Sequence, residues 1–358
     1  MSTTTMEQPV KELRPMELPP LPENPLVSVL IANYNYARYL PEALDSLLAQ
    51  TYTNWEAIVC DDGSTDNSRQ VILDYARRDL RFRYVFKENG GVASALNAAF
   101  AESRGEIVCL LDADDVYAPS KLTKIVELAR NKPAAGLLSH CLQMVHERNG
   151  KKVGPVPLSF DEGWVGDQIV ATGRWVKVAW GSGVSLRSEV AKKVFPIPEQ
   201  LRSVADLFLM LAASVLTEIA VAPEMLVCYR VHGANLTNSS LLEFGADRSL
   251  RPYFLAIQAH AQFVSSLTGR PPARPEQYLQ FRYALLTSFA TTGTVPNEYF
   301  RGTALDLLHL FPRGYQQMYW SLLLRLPRRL SNSILRLHFG YYPGKRYLKP
   351  LAGLIGAG

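Results

Sequence analysis

The chain has 358 residues, of which 47% are hydrophobic, and can bury one large core or two modest ones. Its 38 basic and 33 acidic residues leave a formal net charge of +5 at pH 7. These values are ordinary for a globular enzyme and exclude a wholly disordered chain. No uninterrupted apolar stretch reaches the roughly 18 to 20 residues that span a bilayer, so we expect no transmembrane helix.

The first 25 residues are polar and proline-rich and lack the pattern of a secretory signal. We therefore predict a disordered leader over residues 1–25. The four cysteines show no metal-ligand spacing and lie in or beside apolar runs, which is typical of reduced core residues in a cytosolic protein. They are Cys60, Cys109, Cys141 and Cys228.

From residue 27 the chain alternates between apolar runs and amphipathic segments. Four strands are predicted, over residues 27–32, 55–60, 82–86 and 107–111. A helix is predicted after each of the first three strands. Alternation at this spacing predicts an α/β fold, with a mostly parallel, Rossmann-like sheet that is covered by helices on both faces.

The second half of the chain is less regular. Residues 137–147 and 151–153 predict a hairpin around Asn149-Gly150, a strong turn signal. The next predicted elements are, in chain order, a helix over 167–178, a glycine loop at 180–183, a strand at 184–186, a helix over 203–216 and two short strands flanking Ala222-Pro223. After about residue 245 we expect a helical region interrupted by prolines.

Three carboxylates follow the fourth predicted strand within four positions: Asp112, Asp114 and Asp115. Like charges this close repel and raise one another's pKa unless a cation neutralises them. The carboxyl end of a strand in an α/β sheet is also where ligands usually bind. Because aspartate oxygens suit hard ions, we predict a Mg²⁺ or Mn²⁺ site here. The alternative is that these residues only cap the helix that begins near Pro119.

A second acidic turn, Asp61-Asp62-Gly63-Ser64-Thr65-Asp66, ends the second predicted strand and therefore lies on the same sheet edge. Its carboxylates can accept hydrogen bonds from a base N–H or a ribose hydroxyl. The alternative is a helix cap, with Asp66 as N-cap and Ser64 bracing the turn. One residue can cap while another binds.

Two segments together resemble a known family. Residues 28–68, SVLIANYNYARYLPEALDSLLAQTYTNWEAIVCDDGSTDNS, and residues 110–115, LLDADD, are similar to the family-two inverting nucleotide-sugar glycosyltransferases, which have the GT-A fold. The resemblance is strong over these segments and the chain between them, and it continues to about residue 232. It implies a GT-A domain over residues 26–240, followed by a helical C-terminal region with a basic tail over residues 241–358.

In that family, the loop after the first strand and the acid after the second surround the nucleotide. The resemblance therefore implies that the donor nucleotide is bound by Asn33, Tyr34, Asn35, Asp62, Asn97 and Asp112. Tyr34 is also compatible with core packing. Relatives often carry an arginine before the asparagine of the Gly-Gly helix, whereas this chain has Leu96, which leaves the base identity and the diphosphate contacts open.

The family's D-x-D motif falls on residues 112–114, and the resemblance implies that Asp114 contacts the metal. His232 ends a Tyr-Arg-x-His segment whose histidine can approach the metal or diphosphate in relatives; a structural histidine is the alternative. The catalytic base in relatives is an acid that opens a helix after the glycine loop, which implies Asp206. Many relatives have Glu-Asp there, whereas this chain has Ala205. The alternative for Asp206 is a helix-start aspartate that satisfies backbone N–H groups.

Other functional classes compete with this interpretation. Asp112 begins a match to D-x-D-x-[TV], the nucleophile motif of haloacid-dehalogenase-like phosphatases, but that motif normally ends the first strand of its domain and here ends the fourth. An inactive glycosyltransferase-like binding scaffold is disfavoured by the retained aspartates at 62, 114 and 206. A dinucleotide-binding oxidoreductase would need Gly-x-Gly-x-x-Gly after the first strand, which is missing.

We therefore expect a metal-dependent inverting glycosyltransferase. It moves a sugar from a nucleotide-diphosphate sugar, UDP-linked by family frequency, to a hydroxyl of a glycan or lipid-linked acceptor in cell-surface polysaccharide biosynthesis. The expected cofactor is Mn²⁺ or Mg²⁺, and no nucleic-acid partner is expected. The expected location is cytoplasmic, at the inner face of the cytoplasmic membrane.

The C-terminal tail is cationic, because no acidic residue follows Asp306 whereas eight basic residues do. Residues 315–339 mix large apolar side chains with arginines, the pairing that interfacial segments need. We expect peripheral contact between this tail and an anionic membrane. The alternative is a helical appendage that packs its leucines on the catalytic domain and leaves its arginines solvated.

Overall fold

A computed structural model describes residues 11–233, 235, 247–292, 299–311, 314–327, 330, 331 and 334. Within these residues, nine strands form one sheet. They are β1 (Val27–Asn33), β2 (Trp55–Asp61), β3 (Phe82–Phe86), β4 (Ile107–Leu110), β5 (Val116–Tyr117), β6 (Ala135–His146), β7 (Lys152–Val156), β8 (Ser185–Arg187) and β9 (Glu218–Val231).

The strand order is β3-β2-β1-β4-β8-β6-β9-β5, and β7 pairs with β6 as the predicted hairpin. β3, β2, β1 and β4 are parallel to one another, and β6 is parallel to β9. β8, β5 and β7 run antiparallel to their neighbours. The predicted parallel sheet is therefore confirmed for the half that carries β1 to β4, and the other half is mixed.

Helices cover both faces of the sheet, as predicted. They are α1 (Leu40–Leu48), α2 (Ser68–Arg78), α3 (Val92–Ala101), α4 (Lys121–Asn131), α5 (Gly166–Thr172), α6 (Ser188–Val194), α7 (Ala205–Ser214), α8 (Asp247–Thr268), α9 (Leu279–Thr292), α10 (Ala304–His309) and α11 (Tyr315–Arg325). Alternate residues of a strand point to opposite faces. Leu30 thus packs in the core with α3 and α7, and Val29 packs in the core with α1, α2 and α4.

The C-terminal helices α8 to α11 form a hydrophobic cluster of their own, centred on Phe281, Leu285 and Trp320. The predicted helical C-terminal region is therefore confirmed, although the predicted boundary at residues 240 and 241 lies outside the described residues. Trp175 stacks on Tyr253 of α8 with ring centroids 5.7 Å apart. In the described part of the chain, no helix combines the length and hydropathy needed to cross a bilayer.

The expected disordered leader is wrong for residues 11–25, and residues 1–10 lie outside the described residues. The backbone N–H of Met16 donates to the carbonyl of Leu216 at 2.7 Å, and the side chains of Leu13, Met16 and Leu18 pack against the hydrophobic core that contains α3 and α7. Proline content suggested disorder, but apolar residues spaced along the segment supply enough contact to order it.

Two predicted elements differ in their extent. The helix predicted over 167–178 ends at Thr172, because Gly173 adopts a left-handed conformation with φ of 64° and stops it. The two strands expected around Pro223 are one continuous strand, β9. Its register against β6 shifts between Ala222 and Met225, so Pro223 lies at the irregularity, where no ladder hydrogen bond is required of it.

Glu56 fastens β1 and β2 to the turn after α3. Its buried carboxylate accepts hydrogen bonds from Ser28 Oγ at 2.8 Å and from Arg104 N and Nη2 at 2.8 and 2.7 Å. Burial raises the pKa of Glu56, but the bonds from Arg104 and Ser28 outweigh it and hold this pKa below its usual range. Glu56 is therefore bound as an anion.

We predict that Glu56→Gln lowers the free energy of unfolding by about 2–4 kcal/mol, because buried donors lose their charged partner. Since folding lowers the Glu56 pKa, this stabilisation is present above the unfolded-state pKa and is lost as pH falls through the folded-state value. Urea titrations at neutral and acidic pH measure both effects. Glu102→Gln, which removes a half-exposed partner of Arg83, is the matched control and should cost less than about 1 kcal/mol. Equal losses in the two variants would contradict the prediction.

Candidate active site

The carboxyl ends of β1, β2 and β4 open into a cleft with two connected parts. The first part is lined by Asn33, Tyr34, Asn35, Asp62, Asn89, Gly91 and Arg202. The second part is lined by Asp112, Asp114, Trp180, Gly181, Val204, Asp206 and Asn235. Ala32, Tyr36, Val92 and Ser203 line both parts, so a single elongated ligand can occupy them together.

Asp62 is held rigidly at the floor of the first part. Its carboxylate accepts hydrogen bonds from Lys87 Nζ at 2.9 Å and from the backbone N–H groups of Gly90 and Gly91 at 2.9 and 2.7 Å. Gly91 has φ of 90°, a conformation that favours glycine and aims its N–H at the carboxylate. The turn before α3 thus fixes the direction in which Asp62 faces the cleft.

Asn33 and Asn35 shape this part of the cleft by bracing its loops. Asn33 Nδ2 donates to Asp61 Oδ1 at 2.8 Å. Asn35 adopts φ of 58°, and its Oδ1 accepts the backbone N–H of Thr65 at 2.8 Å. Tyr34, between them, is 47% exposed, which excludes the core-packing alternative. Of these three residues, Tyr34 has the side chain most available to a ligand.

Asn97 does not reach the cleft, and its predicted place in the donor site is wrong. Its Nδ2 donates to the carbonyl of Ile197 at 2.8 Å, and its Oδ1 accepts the N–H of Ile197 at 2.7 Å. Both ends of the amide are therefore used to fasten α3 to the segment after α6. Because these two residues are 100 positions apart in the chain, no local pattern indicates the contact.

In the acid cluster after β4, Asp114 and Asp115 are buried, Asp112 is half-buried, and the carboxylates repel one another. Burial, followed by the charges of Asp115 and Asp114, raises the pKa of Asp112 well above its ordinary value. Burial and the charge of Asp114 likewise raise the pKa of Asp115 to about 8. Asp115 Oδ2 accepts the hydroxyl of Ser182 at 2.7 Å, and its Oδ1 accepts the backbone N–H of Arg230 at 3.0 Å. Asp115 is thus a structural member of the cluster.

Lys121 lies beneath the cluster and is fully buried. Its Nζ donates to the carbonyl of Ser182 at 2.6 Å, lies 2.8 Å from His140 Nε2 and is 4.0 Å from the centroid of the Tyr117 ring. Burial lowers the pKa of Lys121 to about 8, and the acid cluster opposes this shift. Lys121 therefore provides a nearby positive charge and also positions the glycine loop.

Asp114 meets the chain segment that follows β9. Asp114 Oδ2 lies 2.9 Å from His232 Nε2 and accepts Asn235 Nδ2 at 3.0 Å. His232 also stacks on Tyr39, with ring centroids 4.6 Å apart. The predicted pair of Asp114 and His232 is thus brought together across 118 positions of the chain, in direct contact with each other.

Asp206 faces Asp112 across the glycine loop. The backbone N–H of Gly181 donates to Asp206 Oδ2 at 3.0 Å, and a Cβ at Gly181 would lie 2.5 Å from Asp112 Oδ2. Only glycine permits this close approach. Burial raises the pKa of Asp206, although the N–H groups of Gly181 and Leu207 partly offset it. A carboxylate with a raised pKa in a cleft is suited to accept a proton.

The start of α7 carries a strained residue. Val204 has φ of 47°, a left-handed conformation that is rare for a β-branched side chain. Strain of this kind persists where the surrounding structure imposes it and is concentrated at functional sites. Here it turns the chain so that Asp206 enters the cleft on the first turn of the helix.

The acid cluster fits a divalent cation in its chemistry. The described residues give the Asp112 carboxylate no hydrogen-bond donor, and the charge repulsion that raises its pKa is the kind that a cation relieves. Within the same residues, no three His, Cys, Asp or Glu side chains form a complete ligand set. The fit is therefore that of a partial site, in which carboxylates share the ion with substrate phosphates and water.

Sequence reasoning missed Lys121, Ser182 and Asn235. Lys121 opens a helix and has the pattern of a solvated residue, so no signal in the sequence indicates its burial. Ser182 belongs to the glycine loop that was recognised, but its bonds to Asp115 and to the backbone of Asp112 depend on the antiparallel pairing of β4 with β8. Asn235 follows the Tyr-Arg-x-His segment by three positions.

The chain is similar in sequence to known glycosyltransferases. Residues 28–195 match the profile of glycosyl transferase family 2. An uncharacterised glycosyltransferase of Nostoc sp. is 41% identical over 221 residues, which are 58% of this chain and 66% of that protein. One of Rickettsia typhi is 29% identical over 235 residues, which are 65% of this chain and 72% of that protein. The match thus spans about two thirds of these relatives.

Among solved structures, residues 1–349 of S. aureus TarS superpose with a TM-score of 0.59 at 18% identity, covering 88% of this chain and 93% of that one. The same TarS fragment has been crystallised in complex with UDP-GlcNAc. At this identity the likeness concerns the fold: a mixed sheet between helices with a helical C-terminal region. The chain is therefore a member of glycosyl transferase family 2 with the GT-A fold.

Proposed function

We propose that the protein is a metal-dependent, inverting glycosyltransferase in which Asp206 is the catalytic base and Asp114 holds the metal. The observation that carries the proposal is the approach of both Asp206 and Asp112 to Gly181, in the part of the cleft that Asp62 does not line. A nucleoside at Asp62 and a diphosphate at Asp114 would leave the sugar beside Asp206. The phosphatase alternative is dropped, because the family is a transferase family.

In the proposed mechanism, the chain's residues orient the donor and remove one proton. Tyr34 and Asp62 bind the nucleoside, and Asp112 and Asp114 face the diphosphate. A divalent ion at Asp114 would offset the charge on the departing diphosphate. Asp206 takes the proton of the acceptor hydroxyl as that oxygen attacks the anomeric carbon from the side opposite the leaving group, which inverts the configuration. Gly181 N–H and the raised pKa keep this carboxylate positioned and basic.

The donor and the acceptor are proposed here by chemical class. We propose a UDP-linked sugar and a glycan or lipid-linked hydroxyl in cell-surface polysaccharide biosynthesis. UDP-GlcNAc, the ligand of the TarS structure, is the first donor to test. We also propose that the chain divides into a catalytic domain over residues 26–240 and a C-terminal region over residues 241–358. The proposed location is the inner face of the cytoplasmic membrane.

Membrane contact is supported by the surface of the C-terminal helices. Leu305 and Leu310, at the ends of α10, are 63% and 43% exposed, and Met318 and Leu322, one turn apart on α11, are 64% and 60% exposed. Arg325 lies on the same face of α11 and is also exposed. The other seven basic residues of the tail lie outside the described residues. Apolar side chains beside arginines match an anionic lipid surface.

We predict that Asp206→Asn lowers the transfer rate by about 10²- to 10⁴-fold, the usual effect of losing a general base, with little change in donor affinity. Asparagine keeps the oxygen that accepts Gly181 N–H, so the loop should stay in place. The wild-type rate should fall as pH drops through the raised pKa of Asp206. Asp167→Asn, at the start of α5 and outside the cleft, is the control and should be active. Equal losses in donor affinity and rate would indicate a binding role instead.

We predict that excess chelator abolishes donor turnover and that added Mn²⁺ or Mg²⁺ restores it, because the diphosphate cannot approach the acid cluster uncompensated. Asp114→Asn should lose turnover at every metal concentration while its melting temperature shows that it remains folded. Asp74→Asn, on the surface of α2, should titrate with metal as the wild type does. Full turnover in chelator would contradict the metal assignment, and no turnover by the wild type with any nucleotide sugar would favour the binding scaffold.

We predict that the protein sediments with phosphatidylglycerol vesicles at low salt and that the double variant Met318→Gln, Leu322→Gln sediments less. Each basic residue near the surface contributes about 1 kcal/mol, so added salt should release the protein. Leu80→Gln, which alters an exposed leucine before β3, is the matched control. Point variants are preferable to truncation at residue 312, which would remove buried Trp320 from its cluster. Wild-type protein that stays in the supernatant would contradict membrane contact.

A further inference from the structure

Acidic side chains outnumber basic ones in the lining of the cleft. Four carboxylates line it, those of Asp62, Asp112, Asp114 and Asp206. Among the described residues that line either part, the one basic side chain is that of Arg202. A sugar nucleotide carries a negative charge on each phosphate, so an acid-lined cleft needs cations to bind it. Arg202 has no part in the mechanism proposed above.

Arg202 is fixed against the turn that opens α3. Its Nη1 donates to the carbonyl of Gly90 at 2.9 Å, and its Nη2 donates to Asn89 Oδ1. Its own carbonyl accepts the N–H of Val92 at 3.1 Å. A Cβ at Gly91 would lie 2.8 Å from the Cα of Arg202, so glycine is required where the two segments meet. The guanidinium is thus placed by the backbone carbonyl of Gly90 and the side-chain amide of Asn89.

Arg202 also lies at the junction of the two parts of the cleft. It lines the part that contains Tyr34 and Asp62, and the next residue, Ser203, lines both parts. The diphosphate of a donor must cross this junction on its way from the nucleoside part to Asp114. The side chain of Arg202 is exposed and has further N–H groups beyond the two that are bonded.

The helix beside Arg202 offers no charge to the junction. This helix is α3, and Val92, Ala95 and Leu96 of its first turns face the cleft. The N–H of Val92, which a phosphate could otherwise use at the helix start, is taken by the carbonyl of Arg202. Among the described residues that line the cleft, the guanidinium of Arg202 is therefore the group that can offer the diphosphate a positive charge.

We propose that Arg202 binds the diphosphate of the donor through its guanidinium, a role that rests on the proposed function above. A planar guanidinium donates two parallel hydrogen bonds to phosphate oxygens, a geometry that lysine lacks. Arg202 then links donor binding to catalysis, because the segment that carries it continues through Val204 to Asp206.

Calorimetric titration in the presence of Mn²⁺ tests this assignment, with UDP and uridine as probes and GDP and guanosine as a second pair. Arg202→Gln should weaken binding of the diphosphate about 10- to 100-fold, the usual effect of losing a charge-assisted bond, and leave nucleoside binding nearly unchanged. Arg202→Lys should recover part of the loss. Arg77→Gln, which alters an exposed arginine of α2, is the control and should bind as the wild type does.

Three other outcomes of these titrations would contradict the assignment of Arg202 or the proposed function. Equal weakening of diphosphate and nucleoside by Arg202→Gln would show that the residue only supports the Gly90-Gly91 turn. Unchanged diphosphate binding in Arg202→Gln, with tight binding by the wild type, would overturn the assignment and leave the proposed function intact. Wild-type protein that binds neither UDP nor GDP would overturn the proposed function and this assignment together. Melting temperatures of all variants establish that each is folded.

Discussion

The site depends on the hydrogen bonds of Lys121 and Ser182, which fasten the glycine loop to the end of β4 beside Asp112 and Asp115. Lys121 Nζ holds the carbonyl of Ser182, and the hydroxyl of the same serine donates to Asp115 and accepts the backbone N–H of Asp112. One serine thus connects the buried cation to two members of the acid cluster. Gly181 directly precedes Ser182, so the hydrogen bonds of Ser182 also fix the position of the Gly181 N–H that donates to Asp206. Loss of the buried cation would therefore disturb both sides of the cleft.

The topology explains why the cleft opens where it does. β1 has β2 on one side and β4 on the other, so the chain leaves the sheet in different directions after β1 and β4. A crevice forms outside the carboxyl ends of strands at such a reversal of strand order. The antiparallel strand β8 then brings the glycine loop to the end of β4, and the parallel pair of β6 and β9 delivers His232 to Asp114. Each half of the sheet therefore contributes one wall of the cleft.

Sequence reasoning succeeded where the signal was local. The four parallel strands are short apolar runs with turn residues after them, and the cluster at Asp112 to Asp115 is legible as excess charge. The position of Asp62 at the sheet edge followed from the predicted strand ends, whereas the inclusion of Asp206 and His232 in the site followed from the family resemblance. Asn97 and the leader were wrong because their partners, Ile197 and Leu216, lie 100 or more positions away. Lys121 could not be found, because its burial depends on strands that surround it only after folding.

The distance along the chain between Asp114 and His232 has a consequence for how the protein folds. Contacts that close long loops form late, because their entropic cost must be met before they contribute stability. The hydrogen bonds from Lys121 to Ser182 and from Asn235 to Asp114 close loops of 61 and 121 positions. A partly folded or partly synthesised chain thus has the acid-rich strand end without the residues that complete the site. Affinity for the proposed sugar donor is therefore expected of the finished domain and not of a partly folded chain.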